Sequence, residues 1–316
     1  MNQLGSVWVW TFDPQELAPV VVLAALYAHR YQSLRRRGRR TSPWRVTSFT
    51  AGLAMLAVAL ASPVDWIGEN RLFAIHMVQH VLLGDIAPLL IVAGLDGPLL
   101  RPLLVLPVLG RLRGLVHPLV ALPLWAIDLY AWHLPGPYQA ALRNDTIHAF
   151  EHACFFTFGL LLWAALLEPL PGPRWFGPEI KLVYILAIRF LDTLLAFAFV
   201  WSHTVFFSYY AAIEPRLWGI GPLEDQNLAG VVMLGEGSVL TICLFGWLFL
   251  KWLREGELID LLEDAGVPRE RAKHAIRYGH ADELLSRLPG IAKDGTSRSR
   301  IGRNPTDRGK LHRTTT

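Results

Sequence analysis

The chain has 316 residues, of which 53% are hydrophobic and 18% are charged, and its mean hydropathy of +0.33 is high for a protein of this length. This composition excludes an ordinary water-soluble enzyme and indicates a protein with many membrane-spanning helices. The formal net charge of +4 does not indicate a nucleic-acid partner, because the arginines cluster at the ends of the apolar segments, where they act as topology signals. We therefore expect contact with the lipid bilayer and none with nucleic acid.

Seven apolar segments follow one another along the chain. Each has roughly 16–25 residues, the length that a helix needs to cross about 30 Å of hydrocarbon. The sequence therefore predicts an all-α polytopic membrane protein, a bundle of seven transmembrane helices. The predicted spans are 15–33, 46–62, 74–95, 116–132, 147–168, 180–202 and 227–252.

Lysine and arginine are distributed unevenly between the segments that connect these spans. The first connection, 30–45, has seven arginines, and so basic a segment stays in the cytoplasm. We therefore expect the N-terminus outside and the C-terminus inside the cytoplasmic (plasma) membrane. We expect no cleavable signal peptide, because no basic residue precedes the first span. Alternate connections agree, with Arg101, Arg111, Arg113, Arg174 and Lys181 on the cytoplasmic side and only Arg71, Arg143 and Arg216 on the other.

The composition changes after the seventh span. The sequence predicts a transmembrane domain at 1–252 and a cytoplasmic tail at 253–316. The tail begins with charged, amphipathic sequence that favours short helices to about residue 289, broken near Gly266 and Pro268. The remaining residues lack aromatics and are rich in polar side chains, which is typical of disorder.

Six of the eleven histidines fall at the predicted outer surface. Two pairs, in "HMVQH" and "HAFEH", are spaced four residues apart, so each pair lies on one face of its helix. If spans three and five pack together, four imidazoles converge beneath this surface, and such a nitrogen-rich set suits copper, zinc or iron. The six candidates are His76, His80, His133, His148, His152 and His203.

Other residues near these histidines bear on the metal hypothesis. Met77 is a candidate soft ligand for copper(I), although methionine on an apolar helix is more often a packing residue. Asp128 lies about one turn below the outer end of span four, and Glu151 is placed to orient a ligating imidazole. Because Cys154 and Cys243 lie far apart in apolar segments, no thiolate site is expected. A single interfacial histidine is most often only amphipathic, so the hypothesis depends on the two pairs.

Charged side chains fall inside the predicted spans, where an ionised group is costly and usually pairs or lines a polar cavity. Among them are Asp85, Asp128, Arg189, Asp192 and Glu236. Arg189 and Asp192 are three residues apart and are expected to neutralise each other. Asp85 and Glu236 are either polar contacts between helices or steps in a polar path, and the sequence does not choose between these roles.

Three motifs in order, "HMVQH", "WHLPGPYQAALRNDTIHAFEHACFF" and "GIGPLEDQNLAGVVM", resemble those of the CtaG-type cytochrome c oxidase assembly factors. The resemblance covers about residues 15–252 and implies a polytopic bacterial membrane protein needed to produce an active haem–copper oxidase. It also implies that five of the six histidines, all except His203, are the outer-face histidines of the family. The segment "PLEDQ" then matches the family signature, with Pro222, Leu223, Glu224, Asp225 and Gln226 expected to contact a partner or to line a cavity.

The leading hypothesis is a non-enzymatic assembly factor and metal chaperone, which binds copper at the outer histidines and passes it to a subunit of cytochrome c oxidase. Paired histidines on neighbouring spans also serve as axial haem ligands, so a haem-binding membrane redox protein is an alternative. A copper transporter that uses the buried carboxylates is a third possibility, and a scaffold that binds neither ligand is the fourth.

Overall fold

The computed structural model describes residues 8–105, 113–170, 172–277 and 280–286, and the regular elements within these ranges are all helices. Proline stands at the first position of several of them, because its fixed φ and missing N–H suit the first turn of a helix. Short 3₁₀ turns lie at Arg113–Val116 and Leu217–Gly219. The helices are α1 (Pro14–Arg36), α2 (Pro43–Ala61), α3 (Pro63–Asn70), α4 (Phe73–Ala93), α5 (Gly97–Val105), α6 (Pro118–Trp132), α7 (Pro135–Ala141), α8 (Asp145–Leu167), α9 (Pro178–Trp201), α10 (Ser208–Ala211), α11 (Pro222–Asp264), α12 (Arg269–Arg277) and α13 (Ala281–Ser286).

Five of these helices, α2, α4, α8, α9 and α11, are long and apolar enough to cross a membrane. Helix α6 is apolar but shorter, and α1 coincides with the first predicted span without reaching the same hydropathy. The prediction of an all-helical membrane protein is therefore confirmed, whereas the count of seven spans and the orientation of the termini stay predictions. Helix α11 also continues to Asp264, beyond the predicted end of span seven at residue 252.

Helix α4 is the central element for the candidate site. It packs against α2, α3 and α8, and a π-helical turn at Leu82–Ile86 interrupts it. At the crossing with α8, a Cβ atom at Gly159 would overlap the backbone carbonyl of Gly84. Glycine therefore permits a close approach of the two backbones, and this approach sets the N-terminal halves of α4 and α8 side by side. Such π turns occur frequently at functional sites.

An aromatic layer surrounds the beginning of α4. The Phe73 ring packs edge-on against Tyr138 of α7 and Phe199 of α9, and against Phe207 in the segment that follows α9. These four side chains are at most 1% exposed. The layer joins segments that are distant in sequence and excludes solvent from the first turn of α4.

The C-terminal unit begins at Trp247, and a small core lies within it. Leu262, Val267 and Ala272 form this core together with partly buried side chains from α11 to α13. Helix α11 ends just before Gly266, whose φ of 85° is the left-handed conformation that follows many helices. The predicted boundary at residue 252 stays a prediction, and the predicted disorder after about residue 289 lies outside the described residues.

Candidate metal centre

Five of the six predicted histidines meet beneath the beginnings of α4 and α8. The ring centroids of His76 and His80 are 4.3 Å apart, and those of His148 and His152 are 4.0 Å apart. Between the pairs, His76 lies 5.4 Å from His148 and His80 lies 5.9 Å from His152, while His133 lies 5.9 Å from His80. We call these five residues the histidine cluster, and each of them is at most 6% exposed.

Two sets of ligand atoms within this region are close enough for one ion. One nitrogen each from His76, His80 and His152 lie within 4.8 Å of one another, and so do ligand atoms of His76, His148 and Glu151. Metal–imidazole bonds of about 2.0–2.1 Å put the nitrogens of a tetrahedral site roughly 3.4 Å apart. Closing the first set, which we call the inner triad, around an ion requires movements of about 1 Å, within the range of small χ rotations.

The hydrogen bonds of His76 determine which of its nitrogens is free. The Tyr210 hydroxyl donates to the carbonyl oxygen of Gly68 at 2.7 Å, and the same hydroxyl lies 2.8 Å from Nδ1 of His76. Burial raises the pKa of the Tyr210 hydroxyl, so it keeps its proton. Because that proton is given to Gly68, Nδ1–H of His76 donates to the hydroxyl oxygen, and the lone pair is left on Nε2. This nitrogen has no hydrogen-bond partner.

His148 is oriented in the same way from the opposite helix. Its Nδ1 lies 2.9 Å from Oε1 of Glu69, a residue of α3 that is 31% exposed. The carboxylate accepts from Nδ1–H, and Nε2 of His148 has no hydrogen-bond partner. A carboxylate or carbonyl behind an imidazole, which holds the ring and its tautomer, is what metal-binding histidines usually have.

His133 presents its free lone pair to a sulfur atom. Its Nδ1–H donates to the carbonyl oxygen of Leu129 at 2.6 Å, and burial lowers the pKa of His133 to about 4, so the ring is neutral at neutral pH. Nε2 then has no proton, and it lies 3.3 Å from the Met77 sulfur. A thioether cannot donate a hydrogen bond, so two electron-pair donors face each other at this point, at the edge of the inner triad.

The middle of the cluster contains buried polar atoms that the protein itself does not satisfy. Both nitrogens of His80, both nitrogens of His152, both carboxylate oxygens of Glu151 and the Tyr138 hydroxyl lack hydrogen-bond partners. Glu151 is fully buried, and its oxygens lie 3.8 Å from His80 and 4.0 Å from His148, beyond hydrogen-bond distance. Each such buried group costs about 1–3 kcal/mol when left unpaired. A bound cation would satisfy several of them at once.

Two predicted site residues stand apart from this arrangement. His203 follows the end of α9 and is exposed, and within the described part of the chain no contact joins its ring to the histidine cluster. Asp128 is buried on α6, with one carboxylate oxygen that lacks a hydrogen-bond partner, and it is not part of the two ligand sets.

Asp225 of the "PLEDQ" segment holds the beginning of α4. Its two carboxylate oxygens accept hydrogen bonds from the backbone N–H groups of Phe73 and Ala74, at 2.8 and 2.9 Å. These are among the first N–H groups of the helix, which have no partner within it, and the positive end of the helix dipole favours the negative charge. Asp225 is 3% exposed, so this side chain is committed inside the protein, whereas Glu224 beside it is exposed.

Gln226 fastens the segment between α9 and α10. Its Oε1 accepts from the backbone N–H of Phe206 at 2.8 Å, and its Nε2 donates to the carbonyl oxygen of Thr204 at 3.0 Å. This segment leads directly to Tyr210. The "PLEDQ" turn therefore supports the histidine cluster from two sides, a role that its spacing in the sequence did not indicate.

A third network of hydrogen bonds joins α4 to α2 and α3. Nε2 of Gln79 donates to Oδ1 of Asp65 at 2.7 Å and to the carbonyl oxygen of Ala59 at 3.1 Å. Thr11 donates to the other oxygen of Asp65 at 2.8 Å. Burial raises the pKa of Asp65 to about 6, the negative charge of Glu69 adds to the increase, and the two hydrogen bonds oppose it. Together these contacts fix the side of α4 that faces α2 and α3.

The model of the cytochrome c oxidase caa3 assembly factor family matches residues 25–255. The chain belongs to this family. The histidine cluster and the "PLEDQ" turn lie inside the matched range.

Among curated proteins, the chain is similar to uncharacterized proteins of mycobacteria. Those of Mycobacterium bovis and Mycobacterium tuberculosis are each 27% identical over 300 residues, which covers 89% of this chain and 45% of theirs. One from Mycobacterium leprae is 23% identical over 282 residues, covering 81% of this chain and 41% of its own. The chain thus spans less than half the length of these curated relatives. No solved structure matches it.

Proposed function

We propose that the protein is a non-enzymatic assembly factor for cytochrome c oxidase that binds a copper ion at the histidine cluster and passes it to an oxidase subunit. Membership in the caa3 assembly factor family supports the process. The copper ion is cargo in this proposal. The protein supplies a place that holds the ion, excludes water and releases it by ligand replacement.

The observation that carries the proposal is the set of unpaired lone pairs in the cluster. Nε2 of His76 and Nε2 of His148 are left free because their Nδ1 atoms are held by Tyr210 and Glu69. The nitrogens of His80 and His152 have no partners. Metal-ligating histidines usually have their second ring nitrogen held in this way, which fixes the tautomer and the ring orientation. An imidazole set without thiolates suits copper, zinc or iron.

Copper is favoured among these metals by the sulfur at the edge of the inner triad. Thioethers are soft ligands that favour copper(I), and the Met77 sulfur lies 3.3 Å from the proton-free nitrogen of His133. A haem fits this region less well than a single ion, because the five imidazoles and the Tyr138 ring pack against one another and are at most 6% exposed. A porphyrin would have to displace several of them.

The test is metal analysis and absorption spectroscopy of the full chain purified in detergent, loaded with copper under reducing conditions. We expect about one copper per chain, held with markedly lower affinity by a His76→Ala/His80→Ala double variant. His203→Ala is the matched control, because this exposed histidine lies at the same predicted surface without contacting the cluster, and it should leave copper binding unchanged. A Soret band in the purified protein, or equal copper in the double variant and the wild type, would contradict the proposal.

A copper transporter is the second candidate, and one observation favours it. A cavity between the helices is lined by Asp85, Arg189, Asp192 and Glu236 together with apolar side chains. Arg189 Nη1 donates to Asp192 at 2.7 Å, which leaves two carboxyl groups in apolar helices without a guanidinium of their own. Copper uptake into liposomes that contain the purified protein separates the candidates, since a chaperone moves no copper across the bilayer.

Location and partner follow from the same proposal. We place the protein in the bacterial cytoplasmic membrane with seven spans, the N-terminus outside and residues 253–316 as a cytoplasmic tail. This topology puts the histidine cluster near the outer surface, where it meets oxidase subunits. Glu224, exposed on the "PLEDQ" turn, is the proposed contact residue. Labelling of single cysteines introduced at positions 8 and 280 from either side of intact cells tests the orientation.

A further inference from the structure

We propose that Glu16, His148 and His152 form a second, outer cation site, which an incoming divalent metal ion occupies before it reaches the inner triad. The inference rests on the proposed metal-binding function and deepens it, because it gives the ion a route from the surface. Glu16 lies on α1, outside the histidine motifs and before the residues that match the family.

The geometry of this site is as close as that of the inner triad. One carboxylate oxygen of Glu16 and one nitrogen each from His148 and His152 lie within 4.8 Å of one another. His148 and His152 come from successive turns of α8, and Glu16 comes from the first turns of α1. Three ligands from two helices therefore converge, and the Nε2 of His148 and both nitrogens of His152 have no other partner.

Burial increases from the outer site to the inner triad. Glu16 is partly exposed, and Glu69, whose carboxylate orients His148, is 31% exposed. His148 and His152 are 5% and 4% exposed, and His76 is fully buried. An ion that arrives at the surface meets the carboxylates first. After it has passed these carboxylates it reaches the inner triad, where all the ligands are imidazole nitrogens.

His152 belongs to both sites, and this sharing supplies a mechanism for transfer. The ion remains bonded to His152 while its bonds to Glu16 and His148 break and bonds to His76 and His80 form. The oxidation state of the metal does not change, because each departing ligand keeps its electron pair and each arriving imidazole supplies its own. Because His152 belongs to both sites, the outer site and the inner triad together hold one ion. Two cations bound to the same imidazole would lie close enough to repel each other.

The outer site and the inner triad differ in the chemical type of their ligands. A site with one carboxylate and two imidazoles accepts a hydrated divalent ion, because carboxylate oxygen is a hard ligand. The inner triad offers nitrogen only, with the Met77 sulfur nearby, and is the softer of the two. Cu²⁺ binds imidazole nitrogen strongly, so it gains by exchanging the carboxylate of the outer site for a third imidazole in the inner triad.

The test measures equilibrium binding of Cu²⁺ to the full chain in detergent, by competition with a chelator. In the His76→Ala/His80→Ala background the inner triad is absent, and we expect one Cu²⁺ to remain bound at the outer site with lower affinity. Adding Glu16→Gln in that background should weaken binding by about tenfold or more, as expected when a site loses one of few ligands. Asp145→Asn, which removes an exposed carboxylate from the first turn of the same α8, is the matched control and should change affinity by less than about threefold.

A kinetic measurement on the intact histidine set completes the test. Glu16→Gln in the otherwise wild-type chain should slow Cu²⁺ capture by about fivefold or more while the equilibrium affinity changes little, since a steering carboxylate acts mainly on association. This measurement decides the matter if the double alanine variant does not fold, and an unchanged capture rate would then overturn the outer site.

The outcomes separate the two proposals. If the wild type binds copper but the folded double variant binds none, the outer site is wrong and the proposed function stands. If the double variant binds as tightly as the wild type, the inner triad is wrong and the outer site stands. If the wild type binds no copper, both fail together. If Glu16→Gln leaves binding by the double variant unchanged, Glu16 is not a ligand and the outer site is overturned.

Discussion

Replacing Asp225 by alanine tests whether the "PLEDQ" turn holds the histidine cluster from inside the protein. The change removes both acceptors from the backbone N–H groups of Phe73 and Ala74. These residues are 1% and 8% exposed, so water does not replace the lost carboxylate easily. An unsatisfied buried N–H costs about 1–3 kcal/mol, and loss of a helix cap costs about 1 kcal/mol by itself. For two N–H groups we expect a loss of about 3 kcal/mol in the free energy of unfolding.

The assay is thermal unfolding of the full chain in detergent, with and without copper. For a chain of this size a loss of about 3 kcal/mol lowers Tm by roughly 4–5 °C. Copper affinity should also fall, because the helix that places His76 and His80 loses the cap at its beginning. Glu224→Ala is the matched control, since the neighbouring carboxylate is exposed and its removal should change stability by less than about 0.5 kcal/mol.

The refuting result is equal stability of the two variants. If Asp225→Ala unfolds at the same temperature as Glu224→Ala and binds copper as tightly as the wild type, the turn does not support α4, and its importance would have to come from an external partner. If Glu224→Ala alone reduces the yield of active oxidase while its stability is unchanged, the contact with the partner is assigned to the exposed side of the same turn.

Three further changes test separate parts of the site. Tyr210→Phe removes the oxygen that orients His76 and should lower copper affinity about tenfold or more. Tyr209→Phe on the adjacent residue is the control. Equal copper affinities of the two variants would refute the inference that Tyr210 fixes the tautomer of His76. Gly159→Ala should lower Tm through about 1–3 kcal/mol of steric strain where α8 crosses α4, whereas Gly235→Ala, with open space around it, should be neutral or slightly stabilising. Asp65 should lose its proton with a midpoint near pH 6 rather than the usual 3.8. Its carboxylic-acid infrared band should therefore be present at about pH 5 and absent at about pH 7. The band should be missing at both pH values from the Asp65→Asn variant. Because the native state binds more protons than the unfolded chain between these two pKa values, this residue lowers stability as pH rises through the window.

Four of the five residues of the histidine cluster could be predicted from helical spacing, because this spacing is a local property of the sequence. Residues four apart share a helix face, so the His76/His80 and His148/His152 pairs follow from the two motifs once both are read as helices. That the pairs meet depends on the crossing at Gly159, where two backbones approach closely. A helical wheel does not indicate such a crossing, because it contains no information on which helices are neighbours.

The residues that support the histidine cluster could not be predicted, because their contacts join positions that are far apart in the sequence. Tyr210 is 134 residues from His76 and Asp225 is 152 residues from Phe73, so neither contact has a signal in local spacing. Glu69 is similarly distant from His148. Glu16 has no histidine motif beside it, and a glutamate in the first turn of a helix is ordinarily explained by the helix dipole. Partners of this kind become visible only when the helices are packed.

The packing also explains why one short turn at the beginning of α11 matters to a site on α4 and α8. Asp225 holds the first N–H groups of α4, and Gln226 holds the segment that ends at Tyr210, which in turn fixes the tautomer of His76. Both connections are short, direct hydrogen bonds between buried groups, and buried bonds of this kind do not stretch without cost. A displacement of the turn by a partner that binds Glu224 would therefore change the direction of the His76 lone pair. We therefore expect the proposed copper release and partner contact to be coupled through Glu224, Asp225 and Gln226. Asp225→Ala should weaken this coupling by removing the connection to α4.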